Sequence, residues 1–90
     1  MAITAQRITA STSAVALNSA ETDTVSGARL VITNTSANAA DLGPSTVTAG
    51  TGYSLAANAT VTVELGAGDQ LYAIRSGASD ATISVLRVGV

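Results

Sequence analysis

Thr60-Val61-Thr62-Val63-Glu64-Leu65 sets an apolar side chain at every second position, the period of a β-strand that buries one face. A helix would scatter the same residues around its circumference, so this segment is committed to a sheet with one covered and one wetted side. Gly66-Ala67-Gly68-Asp69 supplies turn residues for a hairpin connection, and residues 70–75 read as the returning strand. Ser76-Gly77-Ala78-Ser79-Asp80 is a second turn, and residues 81–88 form a final strand. The expectation for residues 59–89 is three consecutive antiparallel strands, a meander.

Upstream, residues 28–34 (Ala-Arg-Leu-Val-Ile-Thr-Asn) are a further strand, whose three adjacent apolar residues predict a central place in a sheet. Residues 40–43 are a short partner strand. Gly43-Pro44-Ser45 then forces a turn, because proline cannot donate to a ladder. Residues 46–48 are another short strand candidate and 49–52 a loop. Residues 2–18 are β-prone in two pieces, around 3–8 and 14–17, and 18–27 read as an acidic loop. No stretch carries a sustained 3.6-residue apolar stripe, and the alanines of 36–40 are too few to nucleate a helix.

Seven or eight short strands with turns every eight to twelve residues predict an all-β fold. The expectation is a small antiparallel β-sandwich, Ig-like or jelly-roll-like, with a small β-barrel as the alternative. Residues 1–90 are read as a single β domain in which 1–10 are either an extended arm or the first strand.

Composition restricts the chemistry. The chain has no cysteine, histidine or lysine, and its four basic residues are Arg7, Arg29, Arg75 and Arg87. The usual nucleophile–base pairs and Schiff bases are thereby excluded, as are zinc sites built on Cys and His. A net charge of −2 with four scattered arginines disfavours a phosphate-binding face, so no nucleic-acid partner is expected. No apolar stretch is long enough to span a bilayer, and no apolar leader core follows Met1, so a soluble chain without a secretion signal or membrane contact is expected. Of the apolar residues 18 are alanine and 24 are larger, which predicts a thin core stabilised by a partner or by self-association. Low charge and many β-branched residues nevertheless oppose disorder.

The remaining constellations have plain readings. Thr22/Thr24, Thr33/Thr35, Thr46/Thr48 and Thr60/Thr62 suggest a threonine ladder, but their spacing has no fixed period and outward threonines on ordinary strands account for them. Asp41, Asp69 and Asp80 suit turns, and Glu21 with Asp23 is the nearest approach to a calcium site without matching a Ca-loop spacing. No metal, cofactor or catalytic residue is therefore assigned, and Asp41 with Asp69 is an arbitrary pair for a carboxylate hydrolase. Asn34-Thr35-Ser36 and Asn58-Ala59-Thr60 match the glycosylation acceptor pattern and are read as turns. Tyr72 is expected to pack in the core or between sheets, whereas Tyr53, in a glycine-flanked loop, is a candidate contact anchor.

The segment 29–88 resembles a family of short β-rich proteins encoded among tailed-bacteriophage structural genes. The resemblance rests on Leu30-Val31-Ile32-Thr33-Asn34-Thr35, on Asp41-Leu42-Gly43-Pro44-Ser45 followed by Val47-Thr48, on Gly52-Tyr53-Ser54-Leu55, and on Gly68-Asp69-Gln70-Leu71-Tyr72-Ala73-Ile74. Ala39 and Ala40 depart from it, since such proteins often carry bulkier β-formers there. It implies a non-enzymatic virion component: a capsid decoration (cement) protein, a head-fibre or collar piece, or a tail subunit. The expected partner is the major capsid protein, bound by a homotrimer on the outer head surface of a virion assembled in the host cytoplasm. Ile3, Arg7 and Ile8 are the expected contacts, with Tyr53 for an adhesin module that binds host glycans.

Overall fold

The computed structural model describes residues 3–17, 28–66 and 69–89, and contains no helix among them. The predicted acidic loop 18–27, with Glu21, Asp23 and the Thr22/Thr24 pair, lies outside the described residues. Eight strands form: β1 (Ile3–Ala10), β2 (Val15–Ala16), β3 (Ala28–Asn34), β4 (Ala40–Gly43), β5 (Tyr53–Leu55), β6 (Thr60–Leu65), β7 (Tyr72–Arg75) and β8 (Ala81–Gly89). They make two four-stranded antiparallel sheets, ordered β1-β8-β3-β6 and β2-β7-β4-β5, not closed into a barrel. The expected β-sandwich is what forms.

The connectivity is finer than the sequence period could say. Strands interleave between the two sheets in the order of an eight-stranded jelly roll. The meander expected over 59–89 does not occur: β6 and β8 lie in one sheet with β3 between them, and β7 lies in the other. A two-residue period reveals which side chains turn inward but not which strand is the neighbour, and three strands with one apolar face each satisfy either arrangement. β6 and β7 are accordingly not partners in a hairpin, since they belong to different sheets. β3 is central, flanked by β8 and β6, as its apolar run predicts.

The core lies between the sheets. Leu30, Ile32, Ile83 and Val85 from the β1-β8-β3-β6 sheet meet Leu42, Leu55 and Ala73 from the other, with Leu17 buried beside β2. Four of its eleven buried residues, Ala10, Ala40, Ala73 and Ala81, are alanines, so the thin core is closed in part by small side chains. The accessible surface of 4673 Å² matches the roughly 4,800 Å² expected for a compact folded chain of 8.8 kDa. Ala40, one of the departures from the phage-like pattern, is fully buried in this core.

Asn34 joins the two layers. Its side chain is fully buried at the end of β3. The amide nitrogen donates to Leu55 O on β5 of the opposite sheet at 3.1 Å and to Asn38 O at 2.7 Å. Its Oδ1 accepts from Ser36 N and Ser36 Oγ, at 3.0 and 2.7 Å. The glycosylation-like triplet 34–36 is thus an ordered turn whose asparagine has no free amide.

Removing this side chain takes a donor from the buried Leu55 O and the acceptor from Ser36 N, whereas Asn38 O keeps Ser36 Oγ; each group left unpaired costs about 1–3 kcal/mol. Asn34→Leu is expected to lower the unfolding free energy by about 2–4 kcal/mol in a urea titration, with the slope unchanged. A loss below about 0.5 kcal/mol, the range of ordinary surface changes, would remove Asn34 from this role.

Candidate interaction surface

Unbroken antiparallel register carries the alternation of β6 across its whole sheet. Ile3, Val88, Arg29 and Glu64 lie in one cross-strand row; Ala5, Leu86, Val31 and Thr62 in the next; Arg7, Ser84, Thr33 and Thr60 in the third. A fourth row pairs Thr9 with Thr82. These side chains point away from the core, because their sequence neighbours Ile83, Val85, Leu30 and Ile32 fill it. The result is a broad outer face with a hydroxyl-rich end and an end that is apolar around Ile3, Val88, Leu86 and Val31 and bordered by the Arg29–Glu64 ion pair. Ile3 is 67% and Leu86 40% exposed, and a shallow groove over Ser84 is walled by Ala5, Arg7, Val31, Thr33 and Leu86.

The threonines come together only in part. Thr33 Oγ1 lies 2.9 Å from Thr60 Oγ1 across two strands. Thr46 and Thr48, expected as a strand, belong instead to the loop between β4 and β5. That loop folds over the outer side of the smaller sheet: Val47 is buried, and Gly50 N donates to Asp41 Oδ2 at 2.5 Å. Two glycines permit it. Gly50 has φ +84°, and a Cβ on Gly52 would stand 2.6 Å from both Leu42 O and a Val47 methyl carbon.

The carboxylates of the described residues are engaged in local structure. Asp41, 3% exposed, holds this loop from a strand rather than from a turn. Asp69 accepts from Gly66 N at 3.1 Å, Asp80 pairs with Arg75 at 2.8 Å, and Glu64 lies 3.7 Å from Arg29. Among the described residues no group of three metal-ligating side chains converges.

The expected contact residues do not form one patch. Ile3, Arg7 and Ile8 all lie on β1, which pairs along its whole length with β8 of its own chain. Ile3 and Arg7 face outward, whereas Ile8 turns inward and packs against the core. Tyr53 stands in β5, opposite Leu42, not in a loop, and is 65% exposed because β5 is an edge strand. Tyr72 sits not in the core but in the row of Gly43 and Ala16, half-buried, with its hydroxyl 3.3 Å from Gln70 Oε1. Sequence reasoning did not single out Leu86 and Val31, which lie within apolar runs; only the register shows that they face outward. Compared with protein-family models, with curated proteins and with solved structures, the chain matches none.

Neighbouring positions on β8 test the assignment of faces. Ile83→Ala, at a fully buried side chain, should cost about 2–5 kcal/mol in chemical denaturation. Leu86→Ala, three residues on, should change stability by about 0.5 kcal/mol or less. Equal losses at both sites would contradict the outer face.

Proposed function

We propose that this chain is a non-enzymatic structural protein of a tailed-phage virion, a capsid decoration protein whose homo-oligomer clamps adjacent major capsid subunits from outside. The observation that carries the reading is the uncovered apolar end of the large outer sheet face, where Ile3 and Leu86 stand exposed beside Val31 and Val88. Exposed apolar side chains clustered on a flat sheet face are the usual mark of a protein-binding surface. Jelly rolls serve as capsid and lectin modules, which is support by analogy of fold. The engagement of Asp41, Glu64, Asp69 and Asp80 in loop anchors and ion pairs also favours a structural over a catalytic role. A protein bound only to the assembled lattice would stabilise it by mass action, each copy adding a modest increment.

Purified particles test this directly. Quantitative mass spectrometry should find the protein in near-stoichiometric ratio to the major capsid protein, and Leu86→Asp should bind heads at least tenfold more weakly while remaining folded. A few copies per particle would move it to a vertex, head-fibre, collar or tail position, and absence would overturn the reading.

Tyr53 supports a second reading. A largely exposed tyrosine on an edge strand is a suitable platform for a sugar ring, as in a virion adhesin module. A glycan-array signal abolished by Tyr53→Ala would favour that role over capsid binding.

A further inference from the structure

The two sheets treat their edges differently. The smaller sheet ends in β2 and β5, of two and three residues, and very short edge strands are one way proteins keep other chains from adding on. The larger sheet ends in β1, of eight residues, and β6, of six. Both keep continuous register with their inner neighbours, so neither carries a bulge. Neither contains proline, and the chain has no lysine with which to guard them. Among the described residues no strand pairs with the outer side of either.

We propose that these two edges are made for each other: β6 of one copy receives β1 of the next, and the sheet continues from molecule to molecule. Direction permits it. All pairings in the sheet are antiparallel, so β1 and β3 run one way and β8 and β6 the other, and an incoming β1 lies antiparallel to β6. Charge selects the register. Arg7 is exposed on the outer face with no carboxylate of the described residues within ion-pair distance, and Glu64 is exposed on the same face at the opposite edge. Setting Arg7 opposite Glu64 places Ile8 against Val63, Ala10 against Val61 and Thr9 against Thr62. Ile8, Val61 and Val63 are only partly buried in the single copy, and this pairing covers them. Cross-strand aliphatic, Thr–Thr and opposite-charge pairs are the ones that stabilise antiparallel sheets.

A two-fold pairing lacks this match. β1 against β1 about Arg7 opposes like charges, and about Gln6 it leaves Arg7 facing Ala5. The contact is therefore heterologous, with each copy both donor and acceptor, and it closes into a ring or extends as a filament. It concerns self-association of the free protein, so its failure would remove this route to the homo-oligomer while capsid binding itself is still decided by the copy number in particles.

The experiment is charge reversal read by analytical ultracentrifugation. The wild-type chain should associate with increasing concentration. Arg7→Glu or Glu64→Arg alone should weaken association at least tenfold, and the double variant should restore it. A second measurement is insensitive to folding losses at the charged positions. Thr9→Cys and Thr62→Cys, both at exposed threonines in a chain without native cysteine, should form a mixed disulfide dimer when combined under oxidation. A wild-type chain that stays monomeric, a double variant that fails to reassociate, or Thr9→Cys pairing chiefly with itself would each overturn the proposal.

Discussion

Everything outward in this molecule follows from one constraint, the unbroken register of the β1-β8-β3-β6 sheet. Each pair of strands advances residue by residue without a bulge, so the side chains of all four strands alternate between one inner and one outer face. A slip of one residue on β8 would exchange Ile83 and Val85 for Ser84 and Leu86 and empty the core. Burial of Leu30, Ile32, Ile83 and Val85 therefore fixes where Ile3, Arg7, Leu86 and Glu64 must stand. Core and surface are two readings of the same ladder.

Small side chains and one asparagine complete the interior. Alanine at positions 10, 40, 73 and 81 fills a core with few large residues, and the surface is no greater than a compact chain of this mass should have. The expectation that a thin core needs a partner thus takes a different form. The layers are already closed, and Asn34 ties them through Leu55 O. What remains open is the larger sheet, at two long edges and across an apolar patch.

Much of this was legible in the residues. The period of residues 60–65 gave β6 with its bounds, the apolar run at 30–32 gave the central place of β3, and the lack of a 3.6-residue apolar stripe anticipated that the described residues hold no helix. Register and partner were not legible, because alternation is blind to which strand lies alongside. For that reason the expected meander failed and the outward places of Leu86 and Val31 were not foreseen. Residues 46–48 alternate like a strand, yet Val47 is buried as a loop plug because Gly43 and Gly52 leave room for it and Asp41 anchors the chain at Gly50. Of the contact residues named from sequence, Ile3 and Arg7 share the outer face and Ile8 does not, a split that a period-two strand imposes on neighbours of opposite parity.

The central claim is that the core is complete within one chain while the larger sheet is completed only between chains. Amide hydrogen exchange of the wild-type protein as a function of concentration separates the two parts. Amides of β3 and β8 should be protected at every concentration, and protection of β1 and β6 should rise together as the protein is concentrated. Protection of β1 and β6 that is already full in dilute monomer, or that never changes with concentration, would contradict the account.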